Sequence, residues 1–168
     1  MSAVARPAVE TLVSVLKRRA TEQPDRLAYV FVSEGAGEDR LTYGELDRKA
    51  KAIAHSLQGV AARGDCALLL YPAGLDFLAA FLGCLYAGVI AIPLFAPRPN
   101  REDPRLNAII EDSGARLALT VSNALPDRSS RCLIRSSHRR AFCFCCCAVC
   151  GNFWCGDYSA VRSRGSQH

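Results

Sequence analysis

Residues 66–92 read CALLLYPAGLDFLAAFLGCLYAGVIAI, and the punctuation of this stretch decides the fold. Cys66 to Tyr71 is a continuous apolar run after the turn-like Arg63-Gly64-Asp65, the pattern of a strand covered on both faces. Pro72-Ala73-Gly74 turns the chain. Leu75, Leu78, Ala79, Leu82 and Tyr86 then recur at helical spacing, and after Gly88 the β-branched Val89-Ile90-Ala91-Ile92 predicts a second buried strand.

Working outward toward the N-terminus, Thr42 with Glu45 three residues on forms a capping box worth about 1 kcal/mol. It opens a helix with the apolar stripe Leu46, Ala50, Ile53, Ala54 and Leu57, which Gly59 ends. Before it, Leu27 to Val32 reads as a strand running into a loop over Ser33-Glu34-Gly35-Ala36-Gly37. Val9, Leu12, Val13, Leu16 and Ala20 read as an amphipathic helix with Lys17, Arg18 and Arg19 near its C-terminal end, stopped by Pro24-Asp25. Toward the C-terminus, a loop with Pro93, Pro97, Pro99 and Pro104 leads to a helix carrying Leu106, Ile109 and Ile110. Gly114 is its expected C-cap, and Arg116 to Val121 makes a final strand. Helices and strands alternate, so the class is α/β, a partial and largely parallel sheet with flanking helices.

Phe77 to Phe95 is a run of 19 uncharged residues long enough to resemble a membrane span. Asp76 beside it, the glycines within it, the change from helical to strand pattern and Pro93 favour a buried helix–strand unit, so no stable membrane span is expected. No secretory signal is visible, because Arg6 and Glu10 interrupt the first residues, and a cytoplasmic location is the expectation. In a reducing compartment Cys66 and Cys84, each inside an apolar run, read as small buried hydrophobes.

Charge is distributed unevenly along the 168 residues. Residues 1–125 carry 14 Lys+Arg against 14 Asp+Glu, whereas residues 126–168 carry 7 Arg against Asp127 and Asp157, so the net charge of +5 lies in the tail. A surplus confined there provides no basic face on the body for nucleic acid. Leu, Ile and Val number 32 in residues 1–125 and 4 in the last 43, where Arg, Ser and Cys fill 21 positions and Lys and Glu are absent. That composition is ill suited to a packed domain.

The wording of the body resembles the N-terminal part of the large domain of the adenylate-forming enzymes, the AMP-dependent synthetases and ligases, and specifically the fatty-acyl-AMP ligases. The stretches that carry the resemblance are Gln23 to Tyr29, Leu41-Thr42-Tyr43-Gly44-Glu45-Leu46, Gly64 to Phe77, Phe81 to Pro93 and Ala96-Pro97-Arg98-Pro99. The Thr-Tyr-x-Glu-Leu box is shared across that superfamily, and Tyr-Pro-x-Gly-Leu-Asp-Phe with the proline-rich loop looks like the fatty-acyl-AMP ligase branch. The resemblance covers residues 9–122, leaving 123–168 as a non-family tail expected to be disordered or out of frame. It implies an enzyme that activates a fatty acid with ATP and Mg²⁺, releases pyrophosphate, and passes the acyl group to an acyl carrier protein in lipid or polyketide synthesis.

The residues that would perform this chemistry cannot be matched here. The family has a Ser/Thr/Gly-rich phosphate loop, an acidic ribose ligand and a lysine in a small C-terminal domain. The nearest loop here, Ser33 to Gly37, contains Glu34 and is followed by Glu38, both of which would repel phosphate, so it reads as a solvated turn. No catalytic, cofactor-binding or metal-ligating residue is transferred, and the chain alone is expected to be inactive. Tyr71 and Asp76, near a strand-to-helix turn, are placed to touch a ligand. The favoured reading of both is structural: the Tyr71 ring has an apolar body to pack and Asp76 suits the first turn of a helix. His55, on the polar side of its helix, reads as a surface histidine.

Three readings compete for the tail. Cys143 with Cys146 and Cys147 with Cys150, near His138, have zinc-like spacing, but the second ligand pair of a finger or ribbon is missing. Under that reading the chain would be a short non-catalytic binding module with a metal-binding tail. Ala141 to Gly156 is too short to span about 30 Å of bilayer as a helix. The leading reading is out-of-frame translation, since alanine codons of GC-rich DNA read one base early encode Arg, Cys, Ser and Gly. The coding DNA between the codons for Ala124 and Arg131 is therefore expected to carry a one-base insertion or deletion, with an Ala- and Leu-rich continuation in another frame. Stop codons closing all alternative frames would reverse that expectation.

Overall fold

The computed structural model describes residues 10–33, 37–95, 104–121, 142–145 and 154–155. In chain order the elements are α1 (Leu12–Glu22), β1 (Leu27–Ser33), β2 (Gly37–Thr42), α2 (Tyr43–Gln58), β3 (Cys66–Leu70), α3 (Leu75–Ala87), β4 (Ile90–Leu94), α4 (Pro104–Ser113), β5 (Leu117–Thr120), β6 (Phe142–Cys145) and β7 (Trp154–Cys155). The main sheet has the order β4-β3-β5-β6-β7. β3 runs parallel to β4 and β5, β5 runs parallel to β6, and β7 pairs antiparallel with β6.

The all-apolar reading of β3 is explained by what covers it. Ala67, Leu69 and Tyr71 face one layer with α2 and α3, whereas Leu68 and Leu70 face the other with Leu106 and Ile110 of α4. The two crossovers run in opposite directions, α3 carrying the chain from β3 to β4 on one side and α4 carrying it back from β4 past β3 to β5 on the other. Crossovers of one hand that move in opposite directions put their helices on opposite faces of the sheet. A central strand between two such layers has no room for a polar side chain.

In the upper layer α2 packs across α3. The predicted stripe of α2 is buried in full, and the Thr42–Glu45 capping box is present. Two hydrogen bonds from Thr42, the backbone one foremost, hold the Glu45 carboxyl below the usual range. Gly83 lies where α3 meets α2, and a Cβ there would sit 2.6 Å from Ile53 Cγ2 and 3.2 Å from the Ala50 carbonyl oxygen. Gly88 ends α3 in a left-handed conformation at φ 74°, its N–H donating to the Cys84 and Leu85 carbonyls. Its own carbonyl accepts from Gly64 N–H, and the Asp65 carbonyl accepts from Ile90 N–H, which sets the start of β4 beside β3.

Several elements differ from the sequence reading. Residues 37–42, polar except for Leu41, form β2, which pairs antiparallel with β1 in a separate two-stranded sheet. The register lays Val32 opposite Glu38 and Ser33 opposite Gly37, so pairing imposes the strand where composition signalled none. β4 is an edge strand and not a buried one: Ile90 is 52% exposed. Pro93, which has no N–H, lies within it. The apolar run 77–95 divides between α3 and β4, and among the described residues no helix is long and apolar enough to cross a membrane. β6 and β7 extend the sheet past residue 122, where the sequence assigned no element; without β6, β5 would be an open edge. α1 opens with a second capping box, between Thr11 and Ser14. Val9, Pro97 and Pro99 lie outside the described residues.

Replacing Gly83 by alanine inserts a methyl group into the α2–α3 contact. The expected loss is about 1–3 kcal/mol, the usual cost of overpacking. Urea unfolding followed by circular dichroism measures it, and a neutral or stabilising effect would show that the two helices are free to move apart.

Candidate functional site

A cleft of about 410 Å³ opens at the carboxyl ends of β3 and β5. This is where open α/β sheets bind ligands, because the strand-to-helix turns there can diverge around a molecule. The turn from Tyr71 to Gly74 forms its floor with Val121, the hairpin contributes Phe31 and Arg40, and α2 and α3 contribute Lys49 and Asp76. The floor is firm: Thr120 Oγ1 donates to the Leu70 carbonyl at 2.7 Å, closing the β3–β5 ladder at the edge of the cleft. Asp76 sits in the first turn of α3, where the helix dipole favours a carboxylate. Lys49 Nζ reaches it at 3.5 Å across the mouth.

The charges in this cleft are balanced. Arg40 and Lys49 are accompanied by Asp39 and Asp76, and Arg40 is also paired with Glu38 at 2.9 Å. Such a lining favours neither a triphosphate nor a cation, and among the described residues no histidine or cysteine lines it. Its lining mixes these charged groups with the apolar side chains of Phe31, Leu41, Leu75 and Val121.

A second polar cluster ties the helices together. Asp47, only 7% exposed, accepts from the Tyr86 hydroxyl at 2.7 Å and pairs with Lys51 Nζ at 2.6 Å. Burial, and then the Asp47 carboxylate, pushes the Tyr86 phenol far above its ordinary range, so it remains a donor. Lys17 of α1 lies 5.1 Å from the centre of the Tyr86 ring. The sequence reading passed over Asp47. Its signal was an acidic residue abutting the apolar stripe, next to Leu46 and four before Lys51, a spacing that looks like an ordinary surface pair.

Of the residues singled out from sequence, Tyr71 and Asp76 meet at the cleft, Tyr71 buried at 6% exposure with its ring in the core. Ser33 and Gly37 end the two hairpin strands, Glu38 is exposed, and Glu34 lies outside the described residues. His55 is exposed in the last turn of α2. Cys84 is buried in the larger apolar cluster and Cys66 packs against the smaller one. Cys143 falls in β6, whereas His138, Cys146, Cys147 and Cys150 lie outside the described residues. Among the described residues no group of three or more His, Cys, Asp or Glu could hold a metal ion.

A family profile described as AMP-binding enzyme matches residues 16–142, running past residue 122 into β6. The chain is 48% identical over 121 residues to the medium-chain-fatty-acid–[acyl-carrier-protein] ligase JamA of Moorena producens (strain JHB), covering 70% of this chain and 20% of that one. It is 37% identical to the long-chain-fatty-acid–AMP ligase FadD26 of Mycobacterium tuberculosis, covering 68% and 20%. The fatty acyl-adenylate ligase of Legionella pneumophila, solved in complex with acyl adenylate and pyrophosphate, superposes with a TM-score of 0.63 at 36% identity, covering 71% of this chain and 22% of that one. The chain therefore spans about a fifth of the length of the relatives it matches.

The Asp47 cluster yields an asymmetric expectation. Asp47→Ala removes the acceptor of a charge-assisted bond and costs about 1.5–3 kcal/mol. Lys51→Ala removes only an exposed partner four residues away, a cost within about 0.5 kcal/mol. Equal losses in urea titrations would show that the Asp47–Tyr86 bond contributes nothing of its own.

Proposed function

The chain belongs to the AMP-binding enzyme family, and from that premise we propose that it is part of an ATP-dependent ligase that activates a fatty acid and hands it to an acyl carrier protein. The likeness to a fatty-acid–acyl-carrier-protein ligase carries this reading. In the first step a carboxylate oxygen attacks the α-phosphorus, the bond from that phosphorus to the bridging oxygen breaks, and pyrophosphate leaves with the electron pair. In the second, the phosphopantetheine thiol attacks the acyl carbonyl, AMP leaves, and the thiol proton passes to solvent.

The first step brings two anions together, which requires cations and N–H donors placed around the phosphates. Arg40 and Lys49 do not meet that need, being offset by Asp39 and Asp76. The reading therefore assigns the phosphate chemistry to residues other than those described, and the 168 residues by themselves are inactive. The role left to the described part is architectural: it supplies strands, helices and one wall of a cleft. Tyr29, Val30 and Val32 on β1 and Ile90 on the β4 edge stand exposed, which supports a fold that continues beyond the described elements.

Exchange of labelled pyrophosphate into ATP tests both halves of the reading. The purified chain should show no fatty-acid-dependent exchange above a blank. Residues 1–122 joined to the remaining four-fifths of the Moorena producens relative should show exchange that depends on added fatty acid. Exchange by the chain alone would overturn its assigned inactivity. A folded chimaera with no exchange, or one indifferent to fatty acid, would overturn the fatty-acid reading.

A further inference from the structure

α1 is attached to the rest of the protein unevenly. Of its side chains only Leu16 is buried, and Leu12, also apolar, is 62% exposed. Among the described residues, its side-chain hydrogen bonds and ion pairs stay within residues 10–26: Thr11 with Ser14, Arg18 with Glu10, Thr21 with Lys17, Arg19 with Gln23. The polar contact that leaves the helix is Lys17 over the Tyr86 ring. That ring is held from its other end, because the hydroxyl donates to Asp47, which is itself paired with Lys51.

The corner that follows α1 is anchored differently. Gly44 N–H donates to the Pro24 carbonyl at 2.9 Å and Tyr43 N–H donates to the Arg26 carbonyl at 3.0 Å, so the corner is bonded to the first turn of α2. A Cβ at Gly44 would stand 3.1 Å from that same Pro24 oxygen, which shows how close the approach is. The helix thus has a fixed pivot at one end and, along its length, one buried leucine and one cation–ring contact. Local opening free energies are lowest for elements with few buried apolar contacts.

We propose that α1 is a strap that comes off the α2–α3 seam about the Gln23–Arg26 corner and, being 11 residues and too short to hold its helix alone, unwinds there while α2, α3 and the sheet stay folded, and that the Lys17–Tyr86–Asp47 chain sets how often it opens. The proposal rests on this geometry and not on the fatty-acid reading. The hydroxyl's 2.7 Å bond to Asp47 fixes one end of the ring whose face Lys17 meets at 5.1 Å.

Amide hydrogen exchange on the full chain, read peptide by peptide, tests it. Residues 14–22 should exchange at least about tenfold faster than the protected amides of α2 and α3. Lys17→Gln keeps helix propensity and most of the stem but removes the charge, and should accelerate exchange of residues 14–22 about two- to fivefold with α2 and α3 unchanged. If α1 in the unaltered chain exchanges no faster than α2 and α3, or if Lys17→Gln leaves residues 14–22 at their original rate, the strap is overturned.

Discussion

The contact of Gly83 with Ile53 and the Ala50 carbonyl is the constraint on which the rest of the described structure depends. It lets the backbone of α3 come within side-chain distance of α2, and that closeness decides where everything attached to the two helices must lie. Pins on either side keep the crossing from slipping: Asp47 holds Tyr86 near the C-terminus of α3, and Lys49 reaches Asp76 near its N-terminus. Glycine within a helix costs about 0.5–1 kcal/mol relative to alanine, and here the close approach is what offsets that cost.

From that crossing the layers follow. α2 and α3 together cover the face of the sheet that shows Ala67, Leu69 and Leu119, while α4 covers Leu68 and Leu70 opposite. Because α3 ends in the left-handed Gly88, the chain reverses within one residue and β4 begins alongside β3, its register set by Asp65 and Gly64. The same arrangement leaves a gap at the carboxyl ends of β3 and β5, between the start of α3 and the β1–β2 hairpin. The cleft is therefore a by-product of how the layers meet, and its balanced charges suit a wall better than a reaction centre.

Family membership and chemistry stand at different distances from the residues. Membership rests on a long run of matched sequence and on a superposable fold, both of which the described elements carry. Chemistry needs particular groups, and adenylation needs phosphate ligands that a cleft with two cations and two carboxylates does not supply. An α/β frame hosts many reactions, so activity is assigned through the relatives and not through the fold.

The order and type of most elements were legible in the sequence because local physics sets them. Thr42 and Glu45 cap α2 by reaching only three residues, the stripe from Leu46 to Leu57 repeats with the helix, and Gly88 takes a conformation other residues resist. Even the two-sided burial of β3 shows as an unbroken apolar run. Tertiary structure alone decided the rest. β2 is a strand because β1 lies beside it, not because Gly37-Glu38-Asp39-Arg40 favours one. The β-branched run from Val89 looks as buried as β3, yet β4 is an edge, since strand order depends on where α4 returns the chain. Asp47 looks like a surface carboxylate until α3 brings Tyr86 to it from 39 residues away. Pairing partners, edges and buried polar bonds are made between segments distant in sequence, and no local pattern carries the information about which segments will meet.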